Sequence, residues 1–164
     1  MNNIINYRSV IIDEIVPYAR ENPKIILLVS DMGFDVADAF AEEFPERIFN
    51  MGIMEQGTVG IAAGMAMSGL IPVVYSIVNF IVYRALEQIR NDVVLQNLNV
   101  KFIATGVNNY FNFLGRTHCC GNDDVALMNL IGLNVFDPYE QQVTDFKSMV
   151  HAWINDDKAG YIRV

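Results

Sequence analysis

Apolar positions along this chain fall into two kinds of run, and the runs alternate. Ile25-Ile26-Leu27-Leu28-Val29 is continuously apolar, as are Pro72–Ile77 apart from Ser76 and Val100–Thr105 apart from Lys101 and Thr105. Strands covered on both faces read this way, whereas strands with one wet face alternate. Between them lie segments with apolar residues at helical spacing: 4–20 (Ile4, Ile5, Val10, Ile11, Ile15, Val16), 35–44, 54–68, 80–97, 123–132 and 140–155. Shorter apolar pieces at 47–51, 133–136 and 161–164 complete the set of predicted strands. Punctuation agrees: Asn22-Pro23, Ser68-Gly69 before Pro72, and Asp137-Pro138 are turn or stop signals.

Strands that alternate with helices and are apolar throughout predict an α/β fold, a three-layer sandwich with a mostly parallel sheet. Its 164 residues suit one domain, with no linker or repeat, so 1–164 is read as a single unit.

Charge changes the picture next. Charged residues make up 18% and hydrophobic ones 52%, with a net charge of −8. An acidic chain repels phosphate backbones and anionic lipid, which argues against nucleic-acid or peripheral membrane binding. So apolar a composition predicts that some surface meets another chain. No export signal is read in residues 1–20, and Cys119 and Cys120, adjacent and without zinc spacing, fit a reducing cytoplasm. Gln56–Tyr83 carries no formal charge and is long enough to span a bilayer, but glycines, Pro72 and Asn79 interrupt it. It reads as a buried helix, a turn and a buried strand.

Candidate chemistry concentrates at Asn50-Met51-Gly52-Ile53-Met54-Glu55-Gln56-Gly57, where a lone carboxylate sits at a strand-to-helix junction. Ligands bind at such junctions in open parallel sheets. The following helix carries Gly57, Gly60 and Gly64, each costing about 1 kcal/mol against alanine, which implies close approach by a backbone or ligand. The competing reading makes Gly52 an N-cap and Glu55 the third helical residue, favoured by the helix dipole.

Phe44-Pro45-Glu46-Arg47-Ile48-Phe49 together with the Asn50–Gln56 stretch resembles the pyrimidine-domain signature of transketolases and deoxyxylulose-phosphate synthases. The likeness runs on through Ala62–Ala66, Gly69–Val74, Arg84–Asp92, Gln96–Val100, Asp137-Pro138 and Tyr161-Ile162-Arg163. Several linked motifs in order make it specific.

That resemblance implies a pyrimidine-domain fold that binds thiamine diphosphate, and a transketolase-like transferase that moves a two-carbon ketol unit between sugar-like carbonyl compounds. It implies that Glu55 bonds N1′ of the aminopyrimidine and supports its 4′-imino form, with apolar Ile53 and Met54 beside it, and that Gly52 and Ile53 also contact the cofactor. Phe80, or less well Tyr83, matches the aromatic against the pyrimidine; the alternative is a core aromatic. Thr117-His118 resembles the pair placed near the thiazolium and donor substrate, where His118 could move a proton; the alternative is a surface loop histidine. The acidic Gly-Glu-Asp-Gly loop is replaced by Asn108–Phe113, and one extra residue separates His118 from Asp124, which leaves phosphosugar specificity open. His151 beside Trp153 reads as packing, and the two cysteines as loop residues lining the pocket.

The Gly-Asp-Gly sequence that the family uses to hold Mg2+ and the diphosphate does not occur in the chain. The expectation is therefore a split enzyme: a separate diphosphate-binding subunit supplies the Mg2+ ligands in an α₂β₂ heterotetramer, with 54–68 and 80–97 as contact surfaces. Other expectations are a two-chain 2-oxoacid decarboxylase or acyloin-forming enzyme, and a non-catalytic interaction subunit, against which Glu55 argues.

Overall fold

The computed structural model describes residues 6–33, 35–140 and 145–164. Six strands form one sheet: β1 (Ile25–Val29), β2 (Ile48–Asn50), β3 (Ile71–Ile77), β4 (Lys101–Thr105), β5 (Asn134–Phe136) and β6 (Gly160–Arg163). Their order is β2-β1-β3-β4-β6-β5, and every neighbouring pair is parallel. The helices are α1 (Ile11–Glu21), α2 (Asp38–Glu43), α3 (Glu55–Met67), α4 (Leu86–Gln88), α5 (Asp123–Leu130) and α6 (Phe146–Asn155).

Alternation along each strand builds two cores. Ile25, Leu27 and Val29 of β1 point with Val73, Tyr75, Ile103 and Ile162 into a layer closed by α1, α2 and α6. Ile26 and Leu28 point with Val74, Phe102, Ala104 and Tyr161 into a layer closed by α3, the 80–94 segment and α5. Burial on both faces is why these strands read as unbroken apolar runs. The three-layer α/β expectation holds, with the described sheet wholly parallel. Trp153 of α6 is fully buried and lies so close to Gly160 that a Cβ there would stand 2.8 Å from the indole.

Three expected helices differ in detail. Ile4 and Ile5 lie outside the described residues; a 3₁₀ turn at Tyr7–Ser9, closed by Ser9 Oγ donating to Asn6 O at 2.8 Å, precedes α1. At the far end, α6 starts at Phe146, because Asp145 caps it by accepting from Lys147 N at 3.1 Å; residues 141–144 lie outside the described set. The predicted amphipathic helix 80–97 is a π-helical turn (Phe80–Arg84), the short α4, and a second π-helical turn (Ile89–Val94). Such widened turns are frequent at functional sites.

Among the described residues no helix is long and apolar enough to cross a membrane. The uncharged Gln56–Tyr83 stretch is α3, a turn at Gly69, β3 and the first π-helical residues. Topology then locates a crevice. The β1 connection leads to β2 on one side and the β3 connection to β4 on the other, so the switch point lies between β1 and β3 at their carboxyl ends.

Candidate active site

Asn50 ends β2 and knits the loops at this crevice. Its Oδ1 accepts from Asp31 N at 3.1 Å and Gly52 N at 2.9 Å, and its Nδ2 donates to Asp31 Oδ1 at 3.2 Å. Gly52 turns the chain at φ +70°, a left-handed conformation that side chains disfavour, with nothing within 4 Å of a would-be Cβ. Its requirement is conformational.

That turn delivers Glu55 as the first residue of α3, after Met54 at the N-cap. The expected capping arrangement with Gly52 is therefore absent. Glu55 is 1% exposed, and its carboxylate turns toward the carboxyl end of β3, where Ser76 Oγ donates to Oε1 at 3.3 Å and Arg84 Nη1 donates to Oε2. A helix-start glutamate gains from the dipole without needing side-chain partners, whereas this one has two. Burying a carboxylate is costly unless it is paired, and Ser76 and Arg84 supply the pairing.

Ile53 and Met54 are not the shield expected for this carboxylate: both are exposed, at 71% and 45%. They rim a hollow of about 450 Å3 with Glu55, Gln56, Gly57 and Arg84.

From Glu55 the groups run in a chain. The Arg84 guanidinium carbon lies 4.5 Å from the Phe80 ring centroid, a cation–π contact across one helical turn. On the same ring, the His118 imidazole sits at 5.1 Å with the planes 78° apart. Phe80 is half-buried and stands outside the core cluster that holds its neighbours Ile81 and Val82, so it is not a core aromatic. Nor is His118 a free surface residue: it is half-buried, and its Nδ1 lies 3.0 Å from Thr117 Oγ1. The structure thus brings Glu55, Phe80 and His118 together.

Other candidates lie elsewhere. Tyr83 is 54% exposed and donates to Asp123 Oδ2 at 3.0 Å, lining a neighbouring hollow with Gln56 and Arg84. His151 packs at the surface on Tyr18, 3.2 Å from its hydroxyl. Cys120 is buried, and burial followed by the charge of Asp124 pushes its thiol up to about 11, which removes it as a thiolate nucleophile at neutral pH. Cys119 points back into its own loop, 3.4 Å from Gly115 O.

Sequence reasoning missed Ser76 and Arg84 as partners of the carboxylate, and Asn79, whose Nδ2 donates to Thr117 O at 3.1 Å and Cys119 O at 2.8 Å. It also missed the buried anchor below the site. Arg163, fully buried, binds Asp124 through Nε (2.8 Å) and Nη2 (3.1 Å) and Asp137 through Nη1, while Tyr161 donates to Asp124 Oδ2 at 2.9 Å. This network pins the return of the 106–122 loop, because Nη2 also donates to Gly121 O at 3.0 Å.

Residues 4–164 match the family described as Transketolase, pyrimidine binding domain. The chain belongs to this family. It is 31% identical over 164 residues to an apulose-4-phosphate transketolase subunit of Phocaeicola vulgatus, covering 99% of this chain and 52% of that protein. Against the 1-deoxy-D-xylulose-5-phosphate synthase of Syntrophus aciditrophicus it is 46% identical over 98 residues, 59% of this chain and 15% of the synthase. Among solved structures, a split gene transketolase described as an inactive beta4 tetramer superposes with a TM-score of 0.80 at 35% identity, over 95% of this chain and 50% of that one. The transketolase of Leishmania mexicana shares the fold, with a TM-score of 0.78 at 20% identity over 96% of this chain and 24% of its own. This pyrimidine-binding domain thus spans about half the length of the apulose-4-phosphate transketolase relative and much less of the synthase.

The family implies thiamine diphosphate, and the residues present fit its pyrimidine end. A buried carboxylate at the carboxyl end of β3 offers an acceptor that can exchange a proton with a ring nitrogen, and Phe80 offers an aromatic face in the same chain of contacts. Among the described residues no group of three metal-ligating side chains occurs.

Proposed function

We infer that this domain is the pyrimidine-binding part of a split transketolase-type enzyme that moves a two-carbon ketol unit between sugar-like carbonyl compounds. The observation that carries the reading is Glu55: a carboxylate 1% exposed, at the first residue of α3, held by Ser76 and Arg84 at the mouth of an open hollow. A carboxylate serving only to start a helix has no reason to be there.

Thiamine diphosphate, when bound, supplies the nucleophilic carbon and the electron sink. The chain's own residues do the rest. Glu55 holds or exchanges a proton at N1′ of the pyrimidine, and Ser76 and Arg84 keep the carboxylate aimed. Phe80 packs on the ring, with Gly52 and Ile53 at the rim. His118, at the far edge of Phe80, binds a substrate hydroxyl or moves a proton at a substrate oxygen.

Mg2+ and the diphosphate fall to a partner chain. Support comes from the missing Gly-Asp-Gly and from relatives whose names mark them as one subunit of a transketolase. The exposed side of α3, with Gly60, Ile61, Gly64 and Met67, Ile53 just before it, and the 80–94 segment are the contact surfaces, in an α₂β₂ assembly working in carbohydrate metabolism in the cytoplasm.

Calorimetry tests this. The chain alone binds thiamine diphosphate and Mg2+ weakly, and addition of a diphosphate-binding partner produces tight binding and a raised melting temperature by linkage. Tight, Mg2+-dependent binding to the chain alone would refute the split site.

A further inference from the structure

The loop that carries His118 leaves the sheet after β4 and returns at α5. Most of its internal bonds are local turns, such as Leu114 N to Phe111 O (2.8 Å), Gly115 N to Asn112 O (3.0 Å) and His118 N to Gly115 O (3.0 Å), and Asn109 N donates to Cys120 O at 3.0 Å across its base. Local turns set the loop's shape. They do not set where His118 lies relative to β3, on which Phe80 follows.

Arg163 pins the return of the loop at Gly121, and one further side chain ties the His118 stretch itself to the segment after β3. Asn79 directly precedes Phe80 and is 8% exposed. Its amide nitrogen donates both its protons across the gap, to Thr117 O at 3.1 Å and Cys119 O at 2.8 Å. Those are the carbonyls on either side of His118, so the amide grips the backbone of that residue from both directions. The imidazole is thereby held edge-on to the ring of the residue that follows Asn79.

The amide oxygen is informative in the other sense. Oδ1 is buried and has no hydrogen-bond partner among the described residues. An orphaned buried acceptor destabilises a fold, and native proteins tolerate few of them. An apolar residue would avoid that cost but would release the loop, so the position is chosen for what the nitrogen holds.

We propose that Asn79 is a positioning residue, which acts through His118 by fixing its imidazole against Phe80 at the end of the Glu55–Arg84–Phe80 chain. The proposal rests on the role given to His118 above and adds the group that places it.

The chain has only two histidines, so ¹³C-histidine labelling gives two ring signals, assigned with His151→Gln. Phe80→Leu supplies the His118 shift without the neighbouring ring current. Asn79→Ala removes both donors, and Asn79→Asp, of the same shape, sets carboxylate oxygens against the two carbonyls; the second variant serves if the first does not fold. In either folded variant the His118 signal moves to its Phe80→Leu position while His151 stays put. In the complex with the diphosphate-binding partner, turnover falls by up to about 10²-fold, as for a misplaced catalytic group, while cofactor affinity stays at the wild-type value. A residue that is merely structural would lower the melting temperature and leave the His118 signal where it was. An unmoved His118 signal in a folded variant overturns the proposal. The signal is read without cofactor or turnover, so its failure counts against Asn79 alone, whereas failure of the transferase reading shows at Glu55.

Discussion

Replacing Asp124 by asparagine probes the anchor beneath the site. The wild-type carboxylate is fully buried and takes two bonds from Arg163, itself fully buried, and one from Tyr161. Asparagine keeps the size and one acceptor oxygen, but turns a second oxygen into a donor facing a guanidinium. The buried Arg163 then keeps Asp137 as its one carboxylate. Breaking a buried pair by removing one partner costs about 3–5 kcal/mol, and because Asp137 remains the lower end applies, about 3 kcal/mol. For a chain of this size each kcal/mol shifts the melting temperature by about 2–4 °C, so the expected fall is roughly 6–12 °C. Urea unfolding followed by circular dichroism at neutral pH measures it, with an unchanged m-value showing that both end states are the same. A loss under about 1 kcal/mol at constant m would mean that the network is worth no more than a surface pair, and the anchoring argument would fail.

Two further outcomes follow from the geometry. On the proposed role of its ring against the pyrimidine, Phe80→Ala weakens cofactor binding by about 1 kcal/mol or more in the assembled enzyme, since Phe80 stands outside the core cluster; calorimetry giving wild-type affinity would return Phe80 to a packing role. Lys101 is fully buried, its Nζ donating to Asp156 O and Lys158 O at 2.7 and 2.6 Å, and burial lowers its pKa to about 8. The unfolded chain therefore holds more protons than the folded one between about pH 8 and 10.5, so this group makes stability rise with pH across that window. Lys101→Met removes the rise, and unfolding curves for the two proteins that run parallel from about pH 8 to 10 would contradict the assignment.

Strands were legible because two-sided burial writes itself as unbroken apolar sequence, as in Ile25–Val29. Helix boundaries were less so: Asp145 looks like any other acidic residue until its carboxylate is seen to cap α6. Glu55 stood out as a lone charge, but its partner did not, since Arg84 on an apparently amphipathic helix resembles a solvated cation. A usable signal was present nonetheless. The uncharged stretch Gln56–Tyr83 is bounded by Glu55 and Arg84, and those two charges pair with each other. Asn79 had no such mark: a neutral amide among apolar residues, its contacts lie 38 and 40 positions away in a loop whose path depends on left-handed turns at Asn108, Asn109 and Gly115.

The central claim is that the buried carboxylate of Glu55 exchanges a proton with the cofactor's pyrimidine, and Glu55→Gln isolates it. Glutamine keeps the size and can still accept from Ser76, but it cannot exchange that proton. Removing a proton-transfer group typically slows a reaction by about 10² to 10⁴, roughly 3–5 kcal/mol of barrier. A helix-start role would instead cost about 1 kcal/mol of stability or less and leave activity in place. The measurement is exchange of the cofactor's C2 proton in deuterated buffer, followed by NMR on the chain reconstituted with its diphosphate-binding partner. Exchange slows by that factor in a folded, cofactor-loaded Glu55→Gln complex; exchange at the wild-type rate would remove Glu55 from the proton transfer.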